Sequence, residues 1–293
     1  MKVKVKVPAS SANIGPGFDC LGLAVNLYLY IEAEETGETT SVKRCPNTPK
    51  EAANLLQHSM EELFNLIDYK PKGLKLNIEN EIPIARGLGS SSAYIVGGIV
   101  AAAKLAEANL SQQDLLNLAA KIEGHPDNIT PCLNGGLTAS FSEDGKVYAS
   151  KLDLHPDFQF FALIPNFHLS TKVARGALPQ MVSHSDASFN TSRTVLTLAA
   201  LKNGDADLLK ASLDDKLHQN YRIPLIPEYD KLFNSLQEIE EIACYLSGAG
   251  PTIMVITKES EKTEAELQKA LNNLENPWGI KKLHPDLQGA VEL

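Results

Sequence analysis

The sequence predicts an α+β protein built in two halves. Strand-like and helix-like segments are interspersed without the regular alternation of a doubly wound sheet. The hydrophobic pattern resets near residue 155, which sets the expected halves at 1–155 and 156–293. At 293 residues and 43% hydrophobic content, the chain can bury one large core or two modest ones.

Val3, Val5 and Val7 alternate with Lys2, Lys4 and Lys6, the period of a half-exposed strand. Residues 8–19 are dense in turn formers and read as a loop. Residues 21–34 form a long β-rich run with Asp19 just ahead of it, and 35–50 read as loop or hairpin. Leu55, Leu56, Leu63, Phe64 and Ile67 have helical spacing over 54–67. Leu74, Leu76 and Ile78 alternate with Lys75, Asn77 and Glu79, a strand that delivers the chain to residues 83–93. An Ala-rich apolar helix follows. Ser111 and Asp114 make an N-cap pattern that opens a helix through about Glu123. Residues 124–131 read as a second polar loop, and Asp144-Gly145 joins the hairpin of 136–141 and 146–152. Beyond 155 come a strand at 158–164, mostly helical segments to 242, a turn-rich stretch at 247–252 and a strand at 253–257. A charged helix over 261–274 and a short β tail close the chain.

Composition excludes several classes. A net charge of −9 argues against a sequence-independent nucleic-acid binder, which needs a basic face. Cys20, Cys45, Cys132 and Cys244 are widely spaced, so neither a zinc site nor a disulfide framework is expected. The start MKVKVKV reads as a strand rather than a signal peptide, and Lys104 interrupts the longest apolar run below the length of a membrane span. A reducing cytoplasm is the expected home, with no membrane partner.

Residues 83–93 carry the strongest chemical signal. Gly87 and Gly89 bracket Leu88, so the backbone can take positive φ and approach a ligand closely. Ser90, Ser91 and Ser92 then open the buried helix, whose positive dipole end faces the loop. Free N–H groups and hydroxyls at a helix start form an anion site, most often for phosphate. The usual P-loop, G-x-x-x-x-G-K-S/T, is excluded because Ser90 follows Gly89 where Lys is required. A serine-capped turn ahead of a core helix accounts for the same residues without a ligand.

The run P-x-x-x-G-L-G-S-S-S-A nevertheless resembles the phosphate loop of the GHMP kinase superfamily, named for galactokinase, homoserine kinase, mevalonate kinase and phosphomevalonate kinase. Further stretches fit it in order: P-x-S-x-A-N-I-G-P-G-F-D-x-L-G, E-G-H-P-D-N-x-x-P, S-T-K-x-A-R, Y-R-x-P-L-I-P and L-S-G-A-G-P-T. Together they cover nearly the whole chain and are similar to the bacterial homoserine kinase branch. The resemblance implies an N-terminal half like ribosomal protein S5 domain 2, a ferredoxin-like C-terminal half, a site between them and a homodimer. It implies ATP and Mg²⁺, with L-homoserine phosphorylated on its hydroxyl on the way to threonine.

Residue by residue, the resemblance places ATP on Pro83, Ile84, Ala85, Arg86, Gly87, Leu88, Gly89, Ser90, Ser91, Ser92 and Ala93. Mg²⁺ falls to Ser91 and Glu123, with Ser90 not separable from Ser91 on sequence. In many relatives several more residues separate the metal glutamate from the His-x-Asp-Asn motif; here Glu123 and His125 are two apart. Arg175, with Thr171 beside it, is the cation expected to stabilise the transferring group. Asp127 or Asn128 is expected near the acceptor hydroxyl. Some relatives use an Asp there as general base, whereas this branch is expected to orient the hydroxyl with Asn128 and Arg175, and whether a general base operates is left open. Asn13 and Asp19 are expected at the ammonium end of the acceptor, Arg222 on its carboxylate, with His125 and Gly248 completing the site. The other histidines are read as structural or surface residues. Three rivals remain: a mevalonate-type kinase, a non-catalytic nucleotide binder and a nucleic-acid-binding S5-like domain. A buried Asp19 would repel mevalonate, which has a carboxylate but no ammonium.

Overall fold

The structure, a computed structural model, describes residues 1–37, 39–46 and 48–293. β1 (Lys2–Ala12) and β2 (Leu21–Glu35) pair antiparallel along their length, with a register shift between Pro8 and Ala9. The expected loop therefore starts later than Pro8. Proline lacks a ladder donor, so the bulge falls beside it. Ala9–Ala12 then resume pairing with Val25–Gly22 and are buried.

Within 35–50, β3 (Ser41–Arg44) runs parallel to β4 (Leu74–Asn80), so this stretch is no hairpin; its positions 38 and 47 lie outside the described residues. Between them α1 (Lys50–Leu66) starts four residues earlier than its apolar spacing suggested, directly after Pro49. α2 (Ser90–Leu105) is buried almost all round. A Cβ on its Gly98 would lie 2.5 Å from the Leu56 carbonyl, so only glycine lets α1 and α2 meet there. α3 (Gln112–Glu123) has the full capping box of Ser111 and Asp114.

α4 (Pro126–Asn134) occupies what read as a polar loop. Pro126 sits at the helix start, where a missing N–H costs nothing, and nearly every residue of α4 is buried, which outweighs the penalty of Pro131 inside it. β5 (Leu137–Glu143) and β6 (Lys146–Leu152) form the predicted hairpin, with Asp144 and Gly145 at φ 50° and 77°.

The second half begins with β7 (Gln159–Pro165), then α5 (Thr171–Gly176), α6 (His184–Asn203), α7 (Ala206–Ser212), α8 (Gln219–Arg222) and α9 (Tyr229–Gln237). β8 (Ile242–Leu246), β9 (Ile253–Thr257), α10 (Ser260–Leu271), β10 (Trp278–Leu283) and β11 (Val291–Glu292) complete it. Among the described residues there are two sheets. One joins β11-β1-β2-β4-β3, with β5 and β6 branching from β2; the other has the order β10-β7-β9-β8. The latter, all antiparallel with helices between its strands, is the split βαβ arrangement of a ferredoxin-like layer. Its strands alternate faces. Phe160 and Ala162 join the main core, whereas Phe161 and Leu163 pack with Leu232, Leu236, Leu267 and Leu271 of α9 and α10. The chain is α+β, and β11 carries its end back to pair with β1. No helix among the described residues is long and apolar enough to cross a membrane.

Candidate active site

Loops from both halves converge where α2 begins. Gly89 caps this helix in the left-handed region, φ 63°, and a Cβ there would lie 2.0 Å from Ser10 Oγ. Gly87, φ 77°, is similarly pressed on the loop after β8: its Cβ would fall 2.3 Å from the Ser247 carbonyl. Ser247 Oγ donates to the Gly87 carbonyl, and Thr252 N–H to that of Arg86. Arg86 itself is buried and donates through Nε to the Pro165 carbonyl at 2.8 Å, tying the loop to the end of β7. The loop is thus clamped from behind, leaving its helix-start amides and hydroxyls toward a cavity of about 310 Å³.

That cavity gathers Ile84, Ala85, Arg86, Gly87, Gly89, Ser90 and Ser91 with Asn13, Asp19, Glu123, His125, Asp127, Asn128, Thr171, Arg175, Arg222 and Gly248. Leu88, Ser92 and Ala93 are buried behind the loop, and Pro83 stands outside the lining. Glu123, the last residue of α3, accepts from Ser91 Oγ and Ser92 Oγ, each at 2.8 Å. Two hydroxyls and a carboxylate at a helix N-terminus offer only hard oxygen donors. No group of three or more His, Cys, Asp or Glu side chains that could hold a metal occurs among the described residues.

α4 presents its first turn to the same space. His125 Nδ1 lies 2.7 Å from Asp127 Oδ1, which also accepts the Asn128 N–H. Burial opposes the charged imidazole, but the Asp127 hydrogen bond and the charges of Asp127 and Glu123 outweigh it, raising the His125 pKa. Asn128 Oδ1 accepts from Ser10 Oγ at 2.8 Å.

Another part of the wall is built of charges. Arg175, on α5, makes a bidentate pair with Asp19 at 2.9 and 3.0 Å. The Asp19 hydrogen bond chiefly raises the Arg175 pKa, against the cost of burial. Asp19 and Asn13 both take positive φ, and Asn13 Oδ1 accepts the Asp19 N–H while its Nδ2 donates to the Gly248 carbonyl. Arg222 is only 2% exposed. Its Nη1 donates to the Gly248 carbonyl and to His218 Nδ1, its Nε has no partner among the described residues, and no carboxylate there lies within ion-pair distance. Burial, then the positive Arg175, push its pKa down to about 10 against the pull of Asp19, Asp127 and Asp215.

Sequence reasoning missed Phe18, His218 and Ser10 as parts of this site. The Phe18 ring stacks on His218 and lies 5.8 and 5.2 Å from the Arg175 and Arg222 guanidinium carbons. Phe18 and Ser10 lay inside motifs already singled out, where polar neighbours drew the attention. His218 precedes Arg222 by one helical turn, but the four-residue α8 leaves no periodicity to find it by. Glu51, Ala52, Leu55 and Tyr94 also line the cavity and were likewise unforeseen.

The chain belongs to the GHMP kinase family. Residues 47–136 match the GHMP kinases N terminal domain, and residues 197–291 match GHMP kinases C terminal. A homoserine kinase of Clostridium botulinum is 45% identical over 99% of this chain and 98% of its own. One from Caldicellulosiruptor saccharolyticus is 44% identical over 99% and 96%. Among solved structures, homoserine kinase from Cytophaga hutchinsonii superposes with a TM-score of 0.88 at 25% identity, covering 100% of this chain and 97% of that one. L. major mevalonate kinase in complex with R-mevalonate reaches 0.74 at 16% identity over 98% and 96%, a likeness of fold alone.

Proposed function

We propose that the protein transfers the γ-phosphoryl group of ATP to the side-chain hydroxyl of L-homoserine, giving O-phospho-L-homoserine ahead of threonine. The observation that carries the substrate class is that Arg222 and Asp19 line one cavity. A buried guanidinium with an unused Nε calls for an anion, and the part-exposed Asp19 carboxylate, held by Arg175, can take a second cation. An amino acid supplies both, with its carboxylate on Arg222 and its ammonium on Asp19 and Asn13. The names of the full-length relatives support this reading, and the Asp19 carboxylate disfavours mevalonate.

In this reading the amides of residues 87–91 hold the triphosphate at the start of α2, where the dipole favours negative charge. Ser91 and Glu123 would hold Mg²⁺, whose hard-oxygen preference they fit, with phosphate oxygens and water completing the shell. When bound, the ion neutralises phosphate charge. Arg175 stabilises the transferring group from the other side, and Asn128 and Asp127 orient the hydroxyl. The new bond joins the homoserine oxygen to γ-phosphorus as the bond to the β-phosphate oxygen breaks. Positioning and electrostatics supply most of such a rate. Asp127→Asn that abolishes turnover while ATP still binds would support a base; near-normal turnover would exclude one.

The reading includes a boundary between the halves near residue 155 and a cytoplasmic homodimer, for which sedimentation equilibrium gives the direct test. The four free cysteines suit a reducing compartment. The deciding assay is coupled ADP release with homoserine, serine, threonine and mevalonate. Homoserine should be preferred, with the preference collapsing in Asp19→Ala and Arg222→Ala; equal or faster turnover of mevalonate would sink the assignment.

A further inference from the structure

We propose that Ser10 is a positioning residue for phosphoryl transfer, holding the Asn128 amide in one orientation so that its Nδ2 group donates into the cavity. The inference rests on the reading in which Asn128 faces the acceptor hydroxyl. Ser10 lies on β1 and is fully buried. Its hydroxyl donates to Asn128 Oδ1 at 2.8 Å. The Cys132 thiol has one proton and two acceptors in reach, the Pro8 carbonyl at 3.2 Å and Ser10 Oγ at 3.4 Å, so Asn128 Oδ1 is the acceptor that the Ser10 hydroxyl itself finds. With Oδ1 so used, Nδ2 is the end left for the cavity that Asn128 lines, and it has no hydrogen-bond partner among the described residues.

The two ends of a carboxamide are nearly equal in shape, so only hydrogen bonding decides which faces a ligand. Inverted, Asn128 would present an acceptor oxygen to a hydroxyl that is losing its proton and to anionic phosphoryl oxygens. Upright, it donates to the hydroxyl oxygen and orients a lone pair for attack. The same serine touches the phosphate loop: its backbone N–H donates to the Leu88 carbonyl at 3.2 Å, and a Cβ on Gly89 would lie 2.0 Å from its Oγ and 3.0 Å from Asn128 Oδ1. One buried serine thus sets the acceptor-orienting amide against the loop that grips the donor.

Steady-state kinetics of Ser10→Ala, Asn128→Ala and the double variant test this. Ser10→Ala should lower kcat about tenfold with both KM values within about twofold, the effect of one lost orienting hydrogen bond. Asn128→Ala should be at least as slow, and adding Ser10→Ala to it should cost nothing more, because Ser10 acts through Asn128. A Ser10→Ala kcat within about twofold of wild type, or an equal further loss in the Asn128→Ala background, overturns the proposal. Asn128→Ala at wild-type kcat removes the reading of Asn128 itself and the proposal with it. Should Ser10→Ala not fold, Ser10→Cys decides: it keeps the shape with a weaker donor, so about threefold slowing supports the role and unchanged kcat overturns it.

Discussion

The two walls of the cavity are made of different materials. The wall at the start of α2 is backbone, fixed by contacts that leave no room for a side chain at Gly87 or Gly89. The other wall is polar side chains: Asp19 and Arg175 pair with each other, while Arg222 stays buried with its Nε unused. A triphosphate presents the same anionic oxygens whatever is being phosphorylated, so rigid amides suffice for it. An acceptor must be told from its analogues, and charged side chains that leave polar atoms unpaired without it do that at a cost in stability.

Gly89→Ala should break the backbone wall outright. The new methyl would have to displace Ser10 Oγ in a left-handed conformation, combining overpacking with strain of about 1–3 kcal/mol. We expect turnover to fall more than about a hundredfold, with a lowered midpoint of thermal unfolding. Wild-type kcat in this variant would mean that the loop is not the rigid support described. Arg222→Met tests the other wall in the opposite sense. Removing a buried, depressed guanidinium should raise stability without substrate by about 1 kcal/mol, yet raise the KM for homoserine about a hundredfold with the KM for ATP unchanged. Loss of both stability and homoserine binding would instead make Arg222 part of the folding core.

These two walls were not equally legible in the sequence. Residues 83–93 announced themselves, because glycine and serine at a helix start are local chemistry with a local meaning. The charged wall depended on distant segments, and its supports stayed hidden. Phe18 touches His218 only because α8 folds over the loop after β1. Likewise α4 was read as a loop because Pro126 and Pro131 flank polar residues, although burial of Ile129, Cys132 and Leu133 makes it a helix. In the second sheet, β7 and β9 were legible as short apolar runs, because both their faces are buried, whereas its ferredoxin-like character rested on the family resemblance.

Within the charged wall, the Asp19–Arg175 pair separates recognition from transfer. Both side chains are partly exposed, at 33% and 43%, so their mutual attraction should contribute under about 1 kcal/mol to stability. Substrate ammonium can therefore compete for Asp19 at little cost. Arg175→Ala should leave the homoserine KM within about threefold while lowering kcat by about tenfold or more, whereas Asp19→Ala should act mainly on KM. Identical effects of the two variants on both constants would show that they act only as a pair.

The smallest effect expected belongs to His218, behind Arg222. Its Nε2 lies 2.8 Å from the Gly15 carbonyl and its Nδ1 3.3 Å from Arg222 Nη1, so the neutral ring donates from Nε2 and accepts at Nδ1. Burial above all lowers its pKa below the ordinary 6.5; Arg222 adds to that, and Asp215 opposes it. In the window between that lowered value and 6.5, the unfolded chain binds a proton that the folded chain does not. Stability from this group is therefore present above 6.5 and falls as the pH drops through the window. His218→Gln can keep both hydrogen bonds without titrating. Its melting temperature should fall less between pH 7 and pH 5 than that of wild type, by roughly 2–4 °C. Equal falls would mean that the ring protonates in the folded protein as readily as in the unfolded chain, and that Arg222 is not held by a neutral imidazole.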